Sequence, residues 1–141
     1  MMYIGMEEAK KIFIVEDDLV LLETLQEIFG LHGYQYQGCH EPENAIKLIE
    51  NYRPDLILLD YLLPEGNGGE LCAAIRTIDD FQNIPIIITS AYAKILYSLY
   101  EYGCDAVLEK PFSIPQLINL VSKLLLKRKS RKYLLPGIKL P

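Results

Sequence analysis

Five short apolar runs punctuate the chain, and the stretches between them carry their apolar residues at helical spacing. The runs fall at 11–15, 34–39, 55–60, 85–89 and 105–109, with Ile12-Phe13-Ile14-Val15, Leu56-Ile57-Leu58-Leu59 and Ile86-Ile87-Ile88 the most continuous. Runs that are apolar throughout, rather than alternating, mark strands covered on both faces. Between the first two, Val20, Leu21, Leu25, Ile28 and Phe29 recur with helical period, and Glu23, Gln26 and Glu27 take the opposite side. The same reading predicts helices over 18–30, 42–52, 68–79, 92–102 and 113–129. Punctuation agrees with these bounds. His32-Gly33 closes the first helix in the manner of a glycine cap, Pro42 opens the second, and Pro54 and Pro85 introduce strands. Pro64 to Gly69 is a turn rich in residues that tolerate positive φ. Strands alternating with helices predict a single doubly wound α/β domain, its parallel sheet covered on both faces.

The polar residues that end these runs change the picture from fold to chemistry. Ligands in open α/β sheets sit beyond the carboxyl ends of the strands. There the first run meets Glu16-Asp17-Asp18, the third stops at Asp60, the fourth at Ser90 and the fifth at Lys110, while the second ends on no evident chemical group. Taken singly, each has a bland role: Asp60 a turn cap, the acidic triplet a solvated helix start, Ser90 a helix cap. Brought together they form a phosphoryl-transfer site. Asp60 is the candidate nucleophile, since a carboxylate can hold a phosphoryl group as an acyl phosphate. Two carboxylates ~4 Å apart repel by roughly 4 kcal/mol at an effective dielectric near 20, so the cluster calls for cations. Lys110 supplies one and Mg2+ suits the other, as a hard ion held by one or two carboxylates with waters and phosphate. In that arrangement Asp17 and Asp60 ligate the ion directly, Glu16 holds a bound water, the backbone carbonyl of Leu62 contributes, and Ser90 donates its hydroxyl to a phosphate oxygen.

Composition narrows the class. A chain of 141 residues suffices for one domain, and half of it is hydrophobic, which excludes a disordered polymer. No apolar run is long enough to span a bilayer, and the first residues lack the basic-then-apolar order of a secretory signal. Cys39, Cys72 and Cys104 are odd in number and widely spaced, so they read as packed thiols, and the expected location is cytoplasmic. Charge is unevenly distributed. Residues 1–122 contain all 19 acids and 7 of the 14 basic residues, a balance of −12, while 123–141 contain the remaining 7 basic residues and no acid. An acidic body is a poor nucleic-acid binder. Residues 1–10 read as an N-terminal extension. Residues 130–141, basic and then apolar through Leu134, Leu135, Ile138 and Leu140, read either as a linker remnant or as a docking segment steered by its charge.

At this point the residues resemble a known family. Glu16-Asp17 after an apolar strand, Pro54 through Asp60 followed by Leu63-Pro64 and Gly68, Pro85 followed by Ser90-Ala91, and Lys110-Pro111-Phe112 together resemble the receiver domain of two-component response regulators, the CheY-like superfamily, over residues 11–129. The resemblance implies a flavodoxin-like fold with strand order 2-1-3-4-5. It also implies a phosphoacceptor, not a turnover enzyme: Asp60 takes a phosphoryl group from a histidine kinase or histidine phosphotransfer protein with Mg2+ bound, and slowly loses it. The downstream protein is then expected on the face of the fourth helix, fifth strand and fifth helix, with a phosphorylation-dependent dimer as one outcome. Two alternatives stay open: a receiver-like docking module that works without phosphate, and a receiver piece of a larger regulator or hybrid kinase. The chain departs from the family pattern at Glu16, where Asp is commoner, at Ser90, where Thr is frequent, and at Val107, where a switching Tyr or Phe is usual. A haloacid-dehalogenase phosphatase would need an Asp at 62, which is Leu. A flavodoxin would need a phosphate loop where this chain has three acids.

Overall fold

The computed structural model describes residues 8–64 and 66–132. The apolar part of the C-terminal tail, at 133–141, and most of the N-terminal extension therefore lie outside the described residues. Five strands build one parallel sheet: β1 Lys11–Val15, β2 Gln35–Cys39, β3 Leu56–Asp60, β4 Ile86–Ser90 and β5 Ala106–Glu109, in the order β2-β1-β3-β4-β5. This is the expected flavodoxin-like order. Four α-helices accompany it: α1 Leu19–Leu31, α2 Ala45–Tyr52, α3 Gly68–Arg76 and α4 Ile114–Lys132.

Alternation along the strands sorts the core into two layers, because successive side chains leave a strand on opposite faces. Phe13, Val15, Ile57, Leu59, Ile86 and Ile88 pack with Ala45 and Ile49 of α2 and Cys72 and Ile75 of α3. Ile12, Ile14, Leu56, Leu58 and Ile87 pack with Leu22, Leu25 and Phe29 of α1 and Leu117, Val121 and Leu125 of α4. Every residue of β3 is buried, which is why its run has no alternation to read.

The amino ends of the strands are tied by two carboxylates, each with an arginine. Asp105 Oδ2 accepts the Ile86 amide at 2.8 Å, and Arg76 Nη2 lies 2.8 Å from the same oxygen. Arg76 also donates to the carbonyls of Phe81, Ile84 and Gly103. Asp55 Oδ2 accepts the Lys11 amide at 2.8 Å, and Arg128 of α4 donates to the Asp55 carbonyl at 2.8 Å. A planar guanidinium can satisfy several carbonyls at once, so α3 and α4 are each pinned to a strand start.

Three expected helices differ in form. The second opens on a 3-10 turn, Pro42–Asn44, before its α-helical part begins at Ala45. The third stops at Arg76, three residues early. Thr77 turns its hydroxyl back to the Ala74 carbonyl, and a 3-10 turn at Asp79–Phe81 follows. Thr, Ile and two Asp in succession are poor helix formers. The segment expected as a fourth α-helix at 92–102 is instead two 3-10 turns, Ala93–Ile95 and Ser98–Tyr102. Aromatic residues lose side-chain freedom in a helix, and four tyrosines stand in these eleven positions. Only Leu99 of the second turn is buried, so little packing is available to enforce α geometry. The C-terminal helix runs three residues past its expected end, to Lys132. Among the described residues no helix is long and apolar enough to cross a membrane.

All three cysteines are free and buried, matching the reading of packed thiols. Burial, as the leading cause, pushes Cys72 up to about 12 and Cys104 up to about 11. Only the thiolate is nucleophilic, so a raised pKa means a smaller reactive fraction at any pH below it. At pH 8.5 a thiol titrating near 12 is ionised in roughly one molecule in three thousand. Alkylation at that pH is expected to be slow for Cys72 and Cys104 in the folded protein and fast for all three thiols in denaturant, as peptide mass mapping would record. Rapid native labelling of Cys72 would contradict the packing described.

Candidate functional site

The strand order determines what meets at the carboxyl edge. β3 lies between β1 and β4, with Val15 opposite Leu59 and Asp60 opposite Thr89. Glu16 and Asp17 follow Val15 directly, so they arrive beside Asp60. Their carboxylates and that of Asp60 lie within 4.8 Å of one another. From the other side Ser90 pairs with Glu109, and its carbonyl accepts the Lys110 amide at 2.8 Å. The Lys110 ammonium then reaches Asp60 Oδ1 at 3.1 Å and Glu16 Oε2 at 3.5 Å. The peptide bond from Lys110 to Pro111 is cis.

Burial differs sharply among these groups. Glu16 is 3% exposed and Asp60 7%, whereas Asp17 is open to solvent. Two buried carboxylates share one lysine. Burial, then the neighbouring Asp60 carboxylate, push Glu16 up to about 7. Lys110 and the Asp18 amide, 3.3 Å from Glu16 Oε1, pull the other way without cancelling the shift. By formal charge, the cluster sets three carboxylates against one ammonium. Asp18 does separate work, capping α1 through the amides of Val20 and Leu21 at 3.0 and 3.2 Å, and it stays out of the cluster.

Ser90 is buried, and its Oγ accepts the Tyr92 amide at 3.0 Å. That local turn leaves its hydroxyl proton free to donate. Leu62 falls where the chain turns into a two-stranded ribbon, opposite Asn67, and its side chain is about half exposed. Tyr92 is half exposed as well. Val107 sits on β5 opposite Ile88, away from the carboxyl edge.

One contributor lay outside the candidate set. Gly68 donates its amide to the Tyr61 carbonyl at 2.8 Å, and a Cβ at 68 would overlap the Asp60 carbonyl oxygen. Glycine is therefore required where α3 closes over the backbone of Asp60. The Gly68-Gly69 pair in the turn was the available signal, though a flexible turn and a close approach look alike in sequence.

Comparison with known proteins agrees with this geometry. Residues 12–122 match the response regulator receiver domain family. The chain is 30% identical over 118 residues to the polar-differentiation response regulator DivK of Brucella anthropi, covering 82% of this chain and 96% of DivK. It is 29% identical over 121 residues to the response regulator MprA of Mycobacterium ulcerans, of which it spans 51%. Among solved structures, the receiver domain of a signal transduction histidine kinase from Syntrophus aciditrophicus is 30% identical with a TM-score of 0.79, covering 94% of this chain and 98% of that one. A CheY-like receiver domain protein from Methanospirillum hungatei is 26% identical with a TM-score of 0.80, covering 87% and 98%. With the fold, the acidic cluster and the matching motifs in agreement, the chain belongs to the response regulator receiver domain family of two-component signal transduction.

Proposed function

We propose that Asp60 is the phosphoacceptor, receiving its phosphoryl group from a phosphohistidine on a histidine kinase or phosphotransfer protein. The observation that carries this is the pairing of a buried carboxylate with Lys110 at 3.1 Å inside a cluster that formally sets three carboxylates against one ammonium. In the transfer an Asp60 carboxylate oxygen forms the new O–P bond as the P–N bond of the donor breaks, and the imidazole keeps the electron pair. The protein acts on itself once per phosphoryl group rather than turning over a substrate.

Three clustered carboxylates are a donor set for a hard divalent cation, and by formal charge they face the single ammonium of Lys110. Asp17, Asp60 and the Leu62 carbonyl would hold Mg2+ directly, with Glu16 on a bound water. The ion supplies neutralisation of the phosphoryl oxygens when bound. Lys110 adds a fixed positive charge on the same group, and the Ser90 hydroxyl donates to one of its oxygens.

Output belongs to the face built from 92–102, β5 and α4. Tyr97 is 90% exposed and Tyr100 about half, while Tyr102 turns inward. Exposed tyrosines of this kind suit a protein interface, since they bury area while keeping a polar tip.

Treatment with acetyl phosphate and Mg2+ is expected to add one hydroxylamine-labile phosphoryl group by intact mass, and none to Asp60→Asn. Retained modification in that variant would overturn the assignment. In EDTA the same substitution removes the carboxylate that repels Glu16, so the melting temperature should rise by about 3–5 °C, corresponding to roughly 1 kcal/mol. Mg2+ should stabilise the wild type more than the variant, and equal shifts would argue against the ligand set.

Decay of the phosphoryl group needs a positioned water, and the half-exposed Leu62 and Tyr92 offer no side chain suited to hold one. A half-life of minutes or longer is expected in Mg2+ buffer, shortened severalfold by Leu62→Asn. Decay within seconds in the wild type would refute it.

A further inference from the structure

The helix α3 opens on two consecutive glycines, and a different neighbour requires each. Gly68 lies against the backbone of Asp60, as described above. At Gly69 a Cβ would run into the ring of Tyr102. The ring thus occupies the space a side chain at 69 would fill, at the first turn of α3, one residue from the contact with Asp60. Tyr102 ends the 3-10 turn Ser98–Tyr102 and is half-buried there. Gly103 follows with φ of 95°, a conformation suited to glycine. Its carbonyl accepts from Arg76 Nε, 2.9 Å away at the last turn of α3. The end of the turn is therefore seated on α3 at two points, by an aromatic ring at the first turn of the helix and by a guanidinium at its last.

We propose that Tyr102 is a positioning residue that couples the state of Asp60 to the exposed 92–102 segment, through Gly68 and Gly69. The inference rests on the reading that Asp60 carries the phosphoryl group. Three observations support the route. Position 107 holds a valine facing Ile88 in register, so no ring on β5 can report on the site. The first residue of α3 touches the Asp60–Tyr61 backbone with no side chain between, so a shift there reaches α3 directly. The 92–102 segment is held lightly, with Leu99 the buried residue of its second turn, so a displaced ring can move it. Close packing transmits such shifts in discrete steps rather than absorbing them.

Beryllofluoride with Mg2+, a non-covalent mimic of the acyl phosphate, tests the coupling by amide hydrogen exchange of 92–102. Binding is followed independently by fluorine NMR. In the wild type, exchange across this segment should change by about threefold or more. Tyr102→Ala should bind beryllofluoride and lose the change, while Tyr102→Phe keeps it. Gly69→Ala, which displaces the ring without altering it, should behave like Tyr102→Ala. If both of those variants retain the wild-type change, the coupling does not run through the ring and the proposal is overturned. A wild type that binds beryllofluoride with no change at 92–102 also overturns it, while leaving Asp60 as acceptor. A wild type that binds no beryllofluoride overturns the acceptor reading itself, and the coupling with it.

Discussion

Negative charge gathered at the carboxyl edge of β1 and β3 is the constraint on which the rest of the molecule depends. Glu16 and Asp60 are nearly as buried as the core, and one ammonium serves both. A folded domain ordinarily avoids this, because desolvating carboxylates is costly unless they are paired. Burial first, and the neighbouring Asp60 carboxylate second, raise the titration of Glu16. Under the proposed function, such a site would bind whatever brings positive charge, and a phosphoryl group only once a cation is there to screen it. Binding and chemistry would then follow from one electrostatic arrangement, with the fold supplying the stability that it removes.

That stability is supplied elsewhere. The opposite edge of the sheet has no comparable strain: Asp55 and Asp105 each receive a strand amide and an arginine. Arg76 and Arg128 reach from α3 and α4 to β-strand starts separated from them by 29 and 73 residues in the chain. Two helices that cover opposite faces are thus fixed at the far end, and the near end of α3 rests through Gly68 on the Asp60–Tyr61 backbone. The division matches a domain whose function lies at one edge of the sheet. The half-buried ion pair of Arg76 with Asp105 matters less for its Coulomb energy than for the carbonyls the same guanidinium satisfies.

Much of this was legible in the sequence, and the reasons differ by residue. Asp60, Asp17, Ser90 and Lys110 could be placed because each ends a run whose type and length define a parallel strand, and parallel strands put their ends on one edge. A sheet covered on both faces follows from the same runs, whereas the strand order rests on the family resemblance. The 92–102 segment was misjudged because its apolar spacing resembles an α-helix, while its tyrosines and sparse burial favour 3-10 turns. The Gly69–Tyr102 contact could not have been read, since it pairs residues 33 positions apart with no periodicity linking them. The role of Arg76 could not have been read either, because collecting three carbonyls from two connections is a property of how the loops fold back, not of its neighbours in the chain.

The glycine at 69 and the valine at 107 bear on one question, where a ring lies between sheet and surface. β5 carries a valine where an aromatic is usual in the family, and Tyr102 places a ring over Gly69. That ring fills the volume between α3 and the turn, as close packing demands. The element that carries this bulk matters. A side chain at 69 would travel with α3 and leave the turn to slide over it, whereas Tyr102 travels with the turn and rests on α3. On the proposed route, a displacement starting at Asp60 would reach the segment bearing Tyr97 and Tyr100 through one contact rather than through the sheet. The carboxyl edge and the 92–102 segment both pack against the first turn of α3, and packing at a glycine is the least tolerant of added volume.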